Sequence, residues 1–313
     1  MKIKVLFALS FLVFSGVVVA QTAIDSSGTI LIGGIKQYVS VKSKDNTKPL
    51  LLFLHGGPGN SVIHYAEKFT NKLQEHFIVV QWDQRESGKT LTLNKSPEPL
   101  QVSLFQIDTK ALIDSLLKRF NQPKLYLVGH SWGTVPGFYI AKNHPHLLHA
   151  YIPICPMVNQ LDSERIILEL MKEQAKKTKN SDALAELVSI AIPFENGEQL
   201  YYHRKWVLHY MGSKAKITQQ QVQAWASTWL AVFNEASKDN LLKSTPVLHC
   251  PIYFFVGRKD YQTNSTLTEK YFQSLTAPKK ELFWFERSAH SLPTTEPALM
   301  QRIIIEKILP ATR

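Results

Sequence analysis

The sequence is poor in cysteine and has no common metal-ligand motif. Cys155 and Cys250 are its only cysteines, so a disulfide-rich scaffold is excluded. It contains neither an H-E-x-x-H pair nor paired cysteine ligands, and a metallohydrolase therefore finds no support. Cys155 ends one predicted strand and Cys250 begins another, and these ends lie at opposite edges of a parallel sheet. We therefore expect two unpaired cysteines.

Long apolar runs are also scarce, and the one at the N-terminus is short for a membrane span. It covers residues 5–19, follows a start containing two lysines, and ends in a small-residue stretch before Gln21. This pattern is typical of a cleavable export signal over residues 1–20, with a retained membrane anchor as the alternative. We expect the remainder to be secreted or periplasmic, without stable membrane insertion.

Acidic residues are outnumbered, with 25 Asp and Glu against 36 Lys and Arg, which gives a net charge of +11. The lysines are scattered and are not interleaved with aromatic residues along one motif. This distribution favours a solvated basic surface over a nucleic-acid site. The apolar fraction of 44% and charged fraction of 19% are typical of a globular protein.

Strand and helix patterns alternate along most of the chain. A hairpin over residues 29–41 is followed by predicted strands at 50–54, 77–81, 125–128, 148–154, 251–256 and 282–285. Helices are predicted at 62–74, 104–120, 134–142 and 298–309. Apolar strands separated by helices indicate a mostly parallel sheet with helices on both faces. Residues 157–245 are helical throughout and predict a cap inserted between core segments 21–156 and 246–313.

The clearest chemical motif is Gly129-His130-Ser131-Trp132-Gly133, which follows the apolar strand 125–128 and precedes a helix. G-x-S-x-G in this context predicts a sharp turn that exposes a strained serine above the sheet edge. The glycines are needed because the turn has no room for a Cβ on either side. Ser131 is therefore the candidate nucleophile.

Ser131 needs a histidine to accept its proton and a carboxylate to orient that histidine. Asp260 and His290 follow two later predicted strands, in the chain order expected for this topology. The backbone N–H groups of Trp132 and of Gly57 are the candidate oxyanion donors, with Gly56 as the alternative to Gly57. No cofactor and no metal is expected.

Five separated segments resemble the α/β-hydrolase fold and, within it, the proline iminopeptidase family of serine peptidases. They are His55-Gly56-Gly57-Pro58-Gly59, Trp82-Asp83-Gln84-Arg85, Gly129–Gly133, Gly257-Arg258-Lys259-Asp260 and Ala289-His290-Ser291. The resemblance implies release of an N-terminal residue, often proline, from short peptides through an acyl-enzyme without a cofactor. It also implies cap glutamates that hold the free α-amino group of the substrate.

The chain departs from that family at two points. Glu86 stands where the family continues D-Q-R with glycine, and the cap stretch 224–230 lacks the glutamate that follows a tryptophan in many members. Glu86 and Trp229 are therefore candidate substrate contacts. Other candidates for the missing carboxylate are Glu195, Glu198, Glu235 and Glu286. Arg85 is expected to tie loops together rather than to contact substrate.

Three functions follow from these observations. The leading one is an aminopeptidase of the proline iminopeptidase type. A carboxylesterase or lactonase with the same triad is the alternative, favoured by the missing glutamate. A binding protein that kept the fold without useful turnover is the third. In each case the partner is a small molecule or a short peptide, and the oligomeric state is left open.

Overall fold

A single sheet of eight strands organises residues 22–312, the part of the chain that the computed structural model describes. Its spatial order is β1-β2-β4-β3-β5-β6-β7-β8. The pairs β1–β2 and β2–β4 are antiparallel, and all other pairs are parallel. The strands are β1 Ile24–Ile32, β2 Ile35–Ser43, β3 Leu50–Leu54, β4 Ile78–Trp82, β5 Leu125–His130, β6 Leu148–Ile154, β7 Ile252–Gly257 and β8 Lys280–Phe285. The predicted mostly parallel sheet is confirmed.

Thirteen α-helical segments accompany the sheet in the described range. They are α1 Glu67–Thr70, α2 Gly88–Leu93, α3 Val102–Arg119, α4 Thr134–Asn143, α5 Gln160–Lys177, α6 Ser181–Val188, α7 Gly197–Tyr210, α8 Gln219–Ser237, α9 Leu241–Ser244, α10 Ser265–Ser274, α11 Leu292–Thr295, α12 Pro297–Ile303 and α13 Leu309–Ala311. None of these helices combines the length and apolarity that crossing a membrane requires. The predicted signal, residues 1–20, lies outside the described residues.

The two faces of the sheet bury alternate residues of the same strands, because successive side chains of a strand point to opposite faces. Leu50 and Leu52 of β3 pack with α3, α4 and α10 on one face. Leu51 and Phe53 pack with α1 and α12 on the other. Both faces are therefore covered, which explains why β3 is apolar at every position.

Helices α5 to α9 lie between β6 and β7. Helices α5 to α8 form their own apolar cluster, which also includes Phe105 and Trp132 from the core, whereas Leu241 of α9 packs in the core on one face of the sheet. Each of the five begins at a residue whose side chain accepts a backbone N–H of the first turn. These N-cap residues are Asn159, Asn180, Asn196, Thr218 and Asn240. Such caps satisfy N–H groups that have no partner within the helix, and they define where each helix starts. The inserted helical cap is confirmed as a feature of the fold.

The predicted helix at residues 62–74 is wrong in extent. Over residues 62–74 the structure has only α1 and a 3₁₀ turn at Leu73–Glu75. The apolar residues of this stretch are nevertheless buried, namely Val62, Ala66, Phe69 and Leu73. Their spacing therefore correctly predicted a buried face, but a series of short turns forms that face instead of one helix. The predicted helix 298–309 is present as one continuous helical run, in which α12 and α13 are joined by a π-helical turn at Ile304–Ile308.

A buried ion pair fixes the loop after β4 to α3. Arg85 donates from Nε to Asp108 Oδ2 at 3.0 Å and from Nη2 to Asp108 Oδ1 at 3.1 Å. Arg85 also donates to the Gly33 carbonyl and to Ser96 Oγ. Both charged side chains are 1% exposed. The expectation that Arg85 ties loops together is confirmed, and Gly33 is required as glycine because a Cβ there would lie 2.2 Å from Asp108 Oδ1.

Replacing Asp108 should be strongly destabilising, because it leaves the Arg85 guanidinium buried without its counter-charge. We expect Asp108→Ala to lower the free energy of unfolding by about 3–5 kcal/mol. Urea denaturation followed by circular dichroism measures this. The matched control is Asp114→Ala on the same helix, whose pair with Lys110 is partly exposed and should contribute less than about 1 kcal/mol. If the two substitutions lowered the free energy of unfolding equally, the stabilising role of the buried Arg85–Asp108 pair would be contradicted.

Candidate active site

Ser131 occupies a strained turn between β5 and α4. Its φ is +53°, in the left-handed region that non-glycine residues rarely adopt. The flanking glycines make the turn possible: a Cβ on Gly129 would lie 2.7 Å from the Gly133 carbonyl oxygen, and one on Gly133 would lie 2.2 Å from the Leu54 carbonyl oxygen. The local sequence therefore holds the Ser131 hydroxyl above the carboxyl edge of the sheet, as the motif predicts.

The structure brings Ser131, His290 and Asp260 into one hydrogen-bonded chain. His290 Nε2 lies 2.9 Å from Ser131 Oγ, and His290 Nδ1 lies 2.9 Å from Asp260 Oδ2. The three residues follow β5, β8 and β7 respectively. With Nδ1–H donating to the carboxylate, Nε2 is left as the acceptor for the serine proton. This geometry permits nucleophilic chemistry, and the catalytic roles remain predictions.

Asp260 is held ionised by its surroundings. Burial would raise the pKa of its carboxyl group, but His290 and the hydrogen bonds that the carboxylate accepts outweigh this and hold the pKa well below its usual range. Oδ1 accepts the backbone N–H groups of Gln262 and Thr263, and Oδ2 accepts the Thr263 hydroxyl at 2.8 Å. A fixed carboxylate of this kind orients the imidazole beside it.

The loop after β3 lies against the serine. A Cβ on Gly56 would be 3.2 Å from the Ser131 Cβ, and Gly57 has φ +121°, a conformation that requires glycine. The loop is anchored by Gln84, which donates to the His55 carbonyl oxygen and accepts the indole N–H of Trp132 at 3.2 Å. Gly57 lines the same cavity as Ser131. The oxyanion roles of the Gly57 and Trp132 amides remain predictions.

A cavity of about 560 Å³ opens between the serine and the cap. Its core wall includes Ser131, His290 and Gly57, and its cap wall is built mostly from α7 and α8. The cap residues include Leu200, Arg204, Val207, Val222, Trp225 and Phe233. A concave, largely apolar site with a few polar groups is typical of a site that binds a small molecule.

Both predicted substrate contacts lie outside this cavity lining. The Glu86 carboxylate accepts the backbone N–H of Ser96. Trp229 is 5% exposed and packs over Gly59 and Phe105 in the cap cluster. Trp225, one turn earlier on this helix, does line the cavity, as does Phe233. The Trp225 indole N–H donates to the Pro58 carbonyl oxygen at 2.9 Å. Because α8 carries aromatic residues on two faces, its sequence does not show whether Trp225 or Trp229 faces the cavity.

The other candidate glutamates also lie elsewhere. Glu195 accepts from Gln199, Glu198 from Tyr202 and Glu235 from the Val102 backbone, while Glu286 pairs with Arg258. Across residues 22–312, the lining of the cavity includes no aspartate or glutamate. A free α-amino group therefore finds no carboxylate on the cavity wall.

Sequence reasoning missed a charged pair at the cap wall. Glu164 of α5 accepts from Arg204 of α7 in an end-on fork, with Oε2 2.7 Å from Nη1 and Oε1 2.6 Å from Nη2. His203 Nδ1 lies 3.0 Å from Arg204 Nη1 and so acts as an acceptor. Burial lowers the pKa of His203 to about 4, which is consistent with a neutral imidazole in this role. The two charged residues are 40 positions apart, and no local motif links them.

One cluster among residues 22–312 has the spacing of metal ligands, namely Cys155, Asp260 and His290. Burial raises the pKa of the Cys155 thiol well above its usual value, so the thiol stays protonated and is a poor ligand. Asp260 and His290 are already hydrogen-bonded to each other. The donor set therefore fits a metal badly. Both cysteines are buried and unpaired, as the strand positions predicted.

The buried His203 should make stability depend on pH. Its pKa is lowered from 6.5 to about 4, and that of His130 is lowered in the same way. The unfolded chain therefore binds more protons between pH 4 and 6.5, so stability rises with pH in this window, by up to about 1.4 kcal/mol per pH unit for each histidine.

Urea denaturation at pH 4.5, 5.5 and 6.5 measures this dependence. His203→Gln should reduce the slope, because it removes one of the titrating groups. The control is His64→Gln at an exposed loop position, which should keep the wild-type slope. A slope that does not change in His203→Gln would contradict the assignment of a neutral, buried imidazole.

Comparison with known proteins agrees with the fold. The chain is 29% identical over 290 residues to "Probable aminopeptidase YbaC" of Bacillus subtilis (strain 168), covering 86% of this chain and 91% of that protein. A proline iminopeptidase of Lactobacillus helveticus is 26% identical over 120 residues, 38% of this chain and 40% of that protein. The proline iminopeptidase structure from Mycobacterium smegmatis superimposes with a TM-score of 0.65 at 15% identity, over 91% of this chain and 98% of that one. Residues 49–271 match the alpha/beta hydrolase fold family, and the chain belongs to that family.

Proposed function

We propose that this hydrolase works through an acyl-enzyme formed on Ser131, and that it releases N-terminal residues from short peptides. The observation that carries the proposal is the chain of two 2.9 Å hydrogen bonds from Ser131 through His290 to Asp260. The aminopeptidase assignment is supported by the names of the similar proteins from Bacillus and Lactobacillus.

In the proposed reaction, Ser131 Oγ attacks the carbonyl carbon while His290 Nε2 takes its proton. Asp260 stays ionised and stabilises the imidazolium that forms. The negative charge on the carbonyl oxygen is stabilised by the N–H groups of Gly57 and Trp132. The imidazolium then protonates the leaving amine, and a water molecule, activated by His290, hydrolyses the acyl-enzyme.

One observation favours a carboxylesterase as the second candidate. The cavity lining of the described chain has no carboxylate, so the partner that an ammonium group prefers is missing.

The side-chain oxygen of Gln160 is a buried acceptor for which the described residues supply no hydrogen-bond partner. Gln160 lines the cavity, and in the peptidase proposal its amide oxygen is one candidate acceptor in place of the missing glutamate.

A fluorophosphonate probe tests the nucleophile. We expect wild-type protein to be labelled and to lose activity in proportion, and Ser131→Ala to abolish labelling. Asp260→Asn should keep the fold and lower kcat by about 10⁴-fold, because the imidazole loses its orienting carboxylate. Ser227→Ala, at an exposed position of α8, is the control and should be labelled normally. Labelling that persists in Ser131→Ala would reject the proposal, and wild-type protein that resists the probe would favour the binding-protein alternative.

A substrate panel separates the two candidate enzymes. The peptidase proposal predicts hydrolysis of prolyl or alanyl naphthylamides, with a loss of at least tenfold in kcat/KM when the amine is acetylated. Hydrolysis of short p-nitrophenyl esters with no turnover of any free-amine amide would instead establish the esterase.

We also propose that residues 1–20 are removed on export, so that the mature protein begins at Gln21 and acts outside the cytoplasm. The support is the basic start, the apolar run and the small residues before Gln21. Mass spectrometry of protein from the extracellular or periplasmic fraction should give the mature mass. Full-length protein found only in the cytoplasm would contradict export.

A further inference from the structure

The wall of the catalytic cavity carries one permanent charge. Among the described residues that line it, Arg204 is the sole lysine or arginine, and no aspartate or glutamate is present. Its charge partner, Glu164, is 1% exposed, whereas the Arg204 side chain is 22% exposed. The carboxylate therefore lies behind the guanidinium, and the positive group of this pair is the one nearer the cavity.

The hydrogen bonds of Arg204 use only part of its guanidinium. Nη1 and Nη2 each donate to Glu164, and the second N–H of Nη1 faces His203 Nδ1. A guanidinium has five N–H groups. The Nε–H and the outer N–H of Nη2 have no hydrogen-bond partner within residues 22–312. These two donors lie side by side on one edge, in the geometry that binds a carboxylate through both oxygens.

Packing holds this edge in place. The guanidinium carbon lies 5.5 Å from the centre of the Phe194 ring and 5.8 Å from that of Phe233. Phe233 lines the cavity with Arg204. Glu164 is fixed in turn by Gln160 Nε2, which donates to its Oε1 at 2.8 Å. The donor pair is therefore pre-organised, which lowers the entropic cost of binding.

We propose that the free edge of Arg204 binds a carboxylate group of the substrate, so that the enzyme prefers anionic substrates to neutral ones of the same shape. This inference rests on the proposed acyl-enzyme function of Ser131. A carboxylate can come from either half of the substrate: from the C-terminus of a free dipeptide, in the leaving group, or from a dicarboxylic acid, in the acyl group. Both present the same chemistry to Arg204.

Matched substrate pairs test the inference and distinguish the two sources. One pair is prolyl-glycine and prolyl-glycinamide, and the other is mono-p-nitrophenyl glutarate and p-nitrophenyl pentanoate. We expect kcat/KM to be higher for the anionic member of at least one pair, by about tenfold or more. The pair that shows the preference identifies which half of the substrate carries the carboxylate.

Variants of the cap pair link the preference to Arg204. Arg204→Gln alone would leave Glu164 buried and unpaired, so it is combined with Glu164→Gln, which keeps the side-chain volumes. In this double variant, the ratio of kcat/KM for the anionic substrate to kcat/KM for the neutral one should fall to about one. In Arg204→Lys the ratio should fall only partly, because lysine keeps the charge but loses the two parallel N–H donors. Arg165→Gln, on the exposed face of α5, is the control and should keep the wild-type preference.

The outcomes separate this inference from the function on which it rests. Hydrolysis of neutral and anionic substrates at equal kcat/KM would overturn the role of Arg204 and leave the acyl-enzyme intact. A preference that survives in the folded double variant, as judged by its circular dichroism spectrum, would also overturn it. Failure of both the probe and every substrate to react with Ser131 would remove the proposed function, and this inference with it.

Discussion

The strained turn at Ser131 is the constraint on which the site depends. A serine at φ +53° is tolerated because Gly129 and Gly133 leave room for the surrounding backbone and because β5 is paired on both sides in the middle of the sheet. Strain of this kind costs on the order of 1–3 kcal/mol and persists only where the surrounding structure holds it. Here the extended core on both faces of the sheet supplies that support.

The parallel sheet brings the other two residues to the same place. Loops after neighbouring parallel strands meet at one edge, so β7 and β8 deliver Asp260 and His290 beside the turn that follows β5. The buried Arg85–Asp108 pair and the Gln84 hydrogen bonds fix the adjacent loops. The core therefore positions Ser131, Asp260 and His290, while helices α7 and α8 provide most of the cap side of the cavity.

This division explains what could be predicted from the sequence. Strands, their apolar faces and the residues at their ends follow from local patterns, so the fold and the positions of Ser131, Asp260 and His290 could be predicted. The residues that form the cap side of the cavity could not. Trp229 and Trp225 sit one turn apart on one helix, and only packing decides that Trp225 faces the cavity. Arg204 and Glu164 meet because α5 and α7 pack together, a contact that no local motif encodes.

A crystal structure of the protein inactivated by a small fluorophosphonate tests the central claim most directly, since the phosphonyl group resembles the tetrahedral intermediate. The account predicts phosphorus bonded to Ser131 Oγ and a phosphonyl oxygen within hydrogen-bond distance of the Gly57 and Trp132 amides. His290 should remain bonded to Asp260. A phosphonyl group on another residue, or His290 turned away from Asp260 in the adduct, would contradict it.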